Sequence, residues 1–163
     1  MRYCVTRRAA NPLFAVGHRF VIGDEAGAVR YRVRDLLRPV AATAALSDAD
    51  GKRLLLLERR HLTLGPGLYF LRDGNVAGVV QVQRDLTTAG PELRIRAPDD
   101  LDLVGDLGQH EYYLMHEGRI IVYVSRRWCA QRRETYGVDL PPDADEPLLL
   151  ACVLALDLLF LSE

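Results

Sequence analysis

Four histidines, three cysteines and one carboxylate set inside an apolar run, Asp157, are the side chains here best suited to chemistry near neutral pH. His18, His61, His110 and His116 lie in unrelated segments without HExxH or paired-ligand spacing, so a metal site would need distant strands to converge. Surface histidines are the default expectation, and neither metal nor cofactor is expected. Cys4, Cys129 and Cys152 form no CxxC pair, and an odd count argues against a closed disulfide framework, which fits a reducing cytoplasm. Cys4 and Cys129 would act as nucleophiles only beside an activating base, and Cys152, deep in an apolar stretch, should be inert. Asp157 could carry a proton. Its desolvation can equally be met by backbone N–H groups or an arginine, and a structural hydrogen bond is the expected role. No GxSxG, P-loop or GxGxxG occurs, and GPG at 65–67 reads as a turn. The chain is therefore expected not to be an enzyme, although dispersed residues such as His110, Glu111 and Asp157 could still assemble a site.

These residues must be positioned by a chain of 163 residues, read as a single domain over 1–163. With 21 basic against 22 acidic residues the net charge is −1, so no overall field points to nucleic acid, and none is expected as a partner. Lys52 is the single lysine; this arginine bias reads as a genome habit without functional weight. The N-terminal MRYCVTRRAANPLF has no apolar run of signal-peptide length, which predicts a cytoplasmic protein.

Turn chemistry recurs about every two dozen residues: GDEAG at 23–27, SDADG at 47–51, RDGN at 72–75, PDD at 98–100 and HEGR at 116–119. The flanks alternate, as in Val29, Tyr31 and Val33 against Arg30, Arg32 and Arg34, or Leu93 and Ile95 against Arg94 and Arg96. The pattern predicts about twelve strands, at 2–7, 18–23, 28–34, 41–47, 53–60, 67–72, 76–84, 92–97, 101–107, 110–116, 119–126 and 133–139. Asp48-Ala-Asp50-Gly51 resembles the start of a calcium loop but lacks the later ligands, and reads as a hairpin turn.

Residues 147–162, PLLLACVLALDLLFLS, predict a helix apolar on every face, with Asp143, Asp145, Glu146 and Pro147 supplying its start signals. Its apolar core at 148–161 would be only about 21 Å long against a hydrocarbon layer of roughly 30 Å, so it reads as a core helix. About twelve strands make a barrel too wide for its own side chains to fill, since that happens near eight. The prediction is an all-β fold with one helix: a closed antiparallel barrel from strands within 2–140, enclosing the helix at 147–162.

The hairpins FVIGDEAGAVRYRVR, ALSDADGKRLLLLERR and FLRDGNVAGVVQVQR, with VYVSRRW at 122–128, TYGVDL at 135–140 and the closing LLLACVLALDLLF, make the chain resemble the LURP-one-related family. That family's fold is similar to the tubby C-terminal domain and to phospholipid scramblases. The resemblance implies a twelve-stranded barrel around a hydrophobic helix and little chemistry. Tubby-like relatives bind phosphoinositides and scramblases are calcium-dependent membrane proteins, whereas LURP-one-related members largely lack an assigned activity. No cysteine-rich or proline-rich extension of the scramblase kind is expected, no phosphoinositide motif matches, and no site residue is carried over.

In an up-and-down barrel the hairpin tips gather at one end and the links at the other. Acidic residues then belong to the tips, whereas Arg34, Arg38, Arg59, Arg60, Arg84, Arg126, Arg127, Arg132 and Arg133 belong to the link end. Of these, Arg59, Arg60, Arg84, Arg126, Arg127, Arg132 and Arg133 are the candidate anion-binding set. They could hold an anionic membrane surface or a phosphorylated ligand through guanidinium contacts, which would place the protein peripherally at a membrane. The plainer reading, and the weightier one, is that arginines gate strand ends against aggregation. Leu54 to Leu57 and Ile120 to Val124 are apolar on both strand faces, which suits a second function class: a protein-interaction or homo-oligomerisation module.

Overall fold

The computed structural model describes residues 1–8, 18–36, 43–62, 65–84, 91–129 and 135–160. Its strands are β1 (Arg2–Arg7), β2 (His18–Asp24), β3 (Val29–Leu36), β4 (Thr43–Asp48), β5 (Arg53–Leu62), β6 (Gly65–Arg72), β7 (Asn75–Arg84), β8 (Pro91–Arg96), β9 (Asp100–Asp106), β10 (Glu111–His116), β11 (Arg119–Ser125) and β12 (Thr135–Asp139). A 3-10 turn at Arg126–Cys129 and one helix, α1 (Glu146–Phe160), complete them. Neighbours pair antiparallel in chain order and β12 returns to β1, so the sheet closes as an up-and-down barrel. The period-2 alternation of the sequence is what allows this, because each strand offers one apolar face to a shared interior.

That interior is filled by α1. Its residues from Leu148 to Leu158 are buried on all sides, against Tyr3, Val5, Phe20, Ile22, Leu55, Leu57, Phe70 and Tyr112 from the wall. Burying a helix of large apolar side chains contributes on the order of tens of kcal/mol, which is why no solvent face is needed. The helix leans toward β5, β6 and β7. Gly78 of β7 makes room for it: a Cβ there would lie 2.6 Å from the Arg96 carbonyl oxygen and 3.1 Å from a Leu148 methyl.

Two predicted features differ. GPG at 65–67 is extended within β6, with Pro66 opposite His61, because a proline needs no partner N–H at a strand start. The eleventh strand stops at Ser125, and Arg126 begins the 3-10 turn. The predicted strand starts at 41 and 133 fall outside the described residues. At the tip of β4–β5, the Asp48 carboxylate accepts the N–H groups of Asp50 and Lys52 and Gly51 takes φ +88°, so this segment is a hairpin turn.

The helix starts where its sequence signals place it. Asp145 is the cap, its carboxylate accepting the Leu148 N–H at 3.3 Å while Arg72 donates to both of its oxygens at 2.7 and 2.9 Å. The Arg72 hydrogen bonds hold the Asp145 carboxyl below the usual carboxylate range. At the next residue, Tyr3 and Tyr31 each donate to Glu146, at 2.5 and 2.7 Å, tying β1 and β3 to the helix start. Burial first, and the hydrogen bond to Glu146 second, push Tyr31 up to about 12 and Tyr3 higher still. Asp145→Ala is expected to lower unfolding free energy by about 1 kcal/mol in a urea titration. A group with a depressed folded pKa stabilises above its unfolded value, here about 3.9, and loses that contribution as pH falls through the lower folded value. The gap between Asp145→Ala and the parent chain should therefore be complete at neutral pH and close in strong acid.

Candidate functional site

The end of the barrel opposite the tips holds the polar groups that the apolar core does not explain. Here the turn at residues 107–110 joins β9 to β10, the 3-10 turn follows β11, and α1 ends. The first of these turns is closed by the Asp106 carboxylate, which accepts the Gln109 N–H at 3.0 Å, and by the His110 N–H to the Leu107 carbonyl. It leaves His110 at φ +53° and turns its ring inward. The imidazole stacks on Tyr136 with ring centres 4.4 Å apart. Its Nε2 lies 3.0 Å from Asp157 Oδ1, while the Tyr136 hydroxyl donates to Asp157 Oδ2 at 2.8 Å.

Asp157 is only 2% exposed, so its carboxylate depends on these donors. Burial, and then the Asp157 carboxylate, push the Tyr136 phenol well above its ordinary value, so it stays protonated and donates. Tyr112 is raised for the same reasons and is fully buried. Its hydroxyl and His110 Nδ1 meet no hydrogen-bond partner among the described residues. The expectation of a surface histidine is thus corrected for His110, whose side chain is 12% exposed and packs over the end of α1. His116 binds the Asp100 carbonyl at the tip end, and the side chains of His18 and His61 lie outside the described residues.

The cysteine reading is also corrected. Cys4 and Cys129 are joined in a disulfide that spans 125 residues, leaving Cys152 as the free thiol. Neither Cys4 nor Cys129 is a nucleophile, and the argument from cysteines to a reducing compartment no longer holds. Spacing along the chain could not reveal the bond, because barrel closure is what brings β1 beside β12 and the turn over both. Burial raises the Cys152 thiol well above its ordinary range, which keeps it protonated and unreactive.

The disulfide pins the 3-10 turn onto the outer face of the wall. Trp128 seats on Gly137, opposite Cys4 in the β1–β12 register, and a Cβ at Gly137 would come within 2.8 Å of the Trp128 Cβ. Tyr123 meets Trp128 edge-on at 4.5 Å, Tyr113 stacks on Tyr123, and the Arg2 guanidinium lies 4.8 Å from the indole centre. From the other side Glu111 holds the turn, accepting the Ser125 hydroxyl at 2.9 Å and the Arg126 N–H at 3.1 Å. Glu111 therefore braces the turn.

The candidate arginines divide. Arg59 donates to the Leu158 carbonyl at 3.2 Å, where a cation meets the negative end of the helix dipole. Arg60 bonds Glu58 at 2.9 Å and lies over the Tyr69 ring. Arg126 and Arg127 are exposed on the 3-10 turn, with Arg127 3.9 Å from Glu111. Arg84 is described in its backbone alone, at the end of β7, and Arg132 and Arg133 lie outside the described residues, as does Arg38. The outward apolar residues form a row in register, Leu56 opposite Leu71 and Leu71 opposite Val76, with Val76 47% exposed; Ile120, on β11, is 56% exposed.

Closed antiparallel barrels of twelve strands around one apolar helix form a recognisable structural class, the tubby-like barrel. The family model described as LURP-one-related matches residues 6–157, and the chain belongs to that family. An X-ray structure of a protein from Arabidopsis thaliana shares the fold, with a TM-score of 0.65 at 16% identity over 96% of this chain and 88% of that one. No curated protein matches the sequence. Among the described residues no helix is long and apolar enough to cross a membrane, and no group of His, Cys, Asp and Glu side chains could hold a metal ion.

Two substitutions test this arrangement. Asp157→Ala leaves a buried phenol and an imidazole without their acceptor and should cost about 2–4 kcal/mol in a urea titration, with Asp157→Asn costing less. Gly137→Ala should lift Trp128, the single tryptophan, off the wall, seen as a red shift of its fluorescence at unchanged far-UV circular dichroism.

Proposed function

We propose that this chain is a non-enzymatic binding module whose link end takes phosphate-bearing anionic ligands, lipid headgroups among them. The observation that carries the reading is the exposure of Arg8, Arg34, Arg126 and Arg127 at that end. Of these, Arg8, Arg34 and Arg126 have no carboxylate within ion-pair distance among the described residues, and Arg127 reaches Glu111 only at 3.9 Å. Arg126 and Arg127 stand on a turn fixed by Glu111 and by the Cys4–Cys129 bond, so little ordering is needed before they meet a ligand. The acidic tips Asp24, Asp48, Asp50, Asp73 and Glu117 lie at the far end, so an anionic surface would be met by one end of the barrel and repelled by the other. Arg59 and Arg60 are already engaged and contribute to the local potential more than to direct contact.

The test is sedimentation with phosphatidylcholine vesicles, with and without phosphatidylserine, and a parallel titration with inositol hexakisphosphate. Binding should require an anionic component and weaken steeply as salt shortens the Debye length. At about 1 kcal/mol per basic residue near a charged surface, Arg126→Glu with Arg127→Glu should reduce it by about thirtyfold. Equal binding to neutral vesicles, or no binding to either phosphate source, overturns the reading.

A further inference from the structure

The barrel wall is not uniformly closed. Between β7 and β8 the ladder runs from Arg84–Pro91 to Val79–Arg96, and between β9 and β10 from Glu111–Asp106 to Met115–Asp102. Between β8 and β9 it contains only Ile95–Leu101 and Arg96–Asp100, next to the tip. Beyond those two positions the strands splay. Residues 91–94 of β8 and 102–106 of β9 therefore face each other as two strand edges, each fully paired on its other side. Such edges offer rows of backbone donors and acceptors, which proteins ordinarily pair or blunt.

A groove of about 320 Å³ lies along this seam, lined by residues 92–95 and 100–102. Its walls follow the alternation of the two strands. The inward set is apolar: Ile95 and Leu101 are buried, while Leu93 and Leu103 are only partly so. The outward set holds four carboxylates, Glu92, Asp100, Asp102 and Asp106, against Arg94, Arg96 and the exposed Val104. Glu92 and Asp102 have no cationic partner among the described residues.

We propose that this seam accepts an extended peptide in which apolar and basic residues alternate, added as a strand along the free edge of β9. Main-chain hydrogen bonds supply affinity in this mode, and alternate side chains supply selectivity. The edge satisfies the peptide's main chain, Leu93 and Leu103 receive its apolar side chains, and Glu92, Asp102 and Asp106 meet its basic ones. An antiparallel course beside β9 is preferred because that ladder is the more stable per residue. The ligand is opposite in charge to the phosphate-bearing one, so the two readings are separable by probe even though Asp106 lies in register with Glu111, which braces the arginine turn.

The probe is a capped synthetic heptapeptide alternating Val and Arg, compared with its Val and Glu counterpart, with hydrogen exchange read by mass spectrometry and affinity by calorimetry. In the free protein, amides across 92–94 and 102–104 should exchange faster than those of β5 and β6. The Val–Arg peptide should slow them, the Val–Glu peptide should not, and Glu92→Lys with Asp102→Lys should weaken the former about tenfold or more while leaving the fold intact. Seam amides as protected as those of β5 and β6 before any peptide is added, equal binding of both peptides, or no binding of the Val–Arg peptide would each overturn the proposal.

Discussion

Enclosure of α1 is the constraint from which the rest of the molecule follows. A helix apolar on every face has no stable place at a water boundary, and twelve strands in closed array leave an interior that side chains alone do not fill. Each solves the other's problem. The strands need only one apolar face apiece, which the period-2 pattern supplies, and closure removes the edges that so many short hairpins would otherwise expose.

A helix threaded through a barrel must also have its ends fastened, and here the two ends are fastened by different chemistry. At the start, the Asp145 carboxylate, held by Arg72, accepts the Leu148 N–H, and two tyrosines donate to Glu146, whose charge complements the dipole. At the finish, Arg59 meets a terminal carbonyl, and Asp157 gathers Tyr136 and His110. A carboxylate within an apolar helix invites a catalytic interpretation. Its donors and its burial give it the character of a fastening instead.

Fastening the helix frees the outer surface to vary around the wall. Between β1 and β12 the outer face is covered by the 3-10 turn, with Trp128 seated on Gly137 and Cys4 bonded to Cys129. Between β8 and β9, a third of the way round the ring, the wall parts and its apolar lining comes near the surface. The first arrangement displays arginines on a rigid turn, and the second leaves backbone edges available. Both depend on a barrel whose interior is already filled, so that local loss of pairing does not expose a void.

The twelve strands, the helix and its enclosure were all legible in residue order, because turn chemistry and side-chain alternation are local signals and an all-apolar segment admits few placements. Asp145 and Glu146 were legible as start signals for the same reason, but not Arg72, Tyr3 or Tyr31, which reach them from strands far away in the chain. Only barrel closure decides that Cys4 lies beside Cys129, that Tyr136 and His110 converge on Asp157, and that Arg59 turns to the helix while Arg126 faces solvent. Such pairings depend on register and curvature summed over many strands, and no short stretch of sequence encodes that sum. The parting of β8 from β9 is of the same kind: both strands carry ordinary alternation, and their geometry against neighbouring strands determines where the ladder ends.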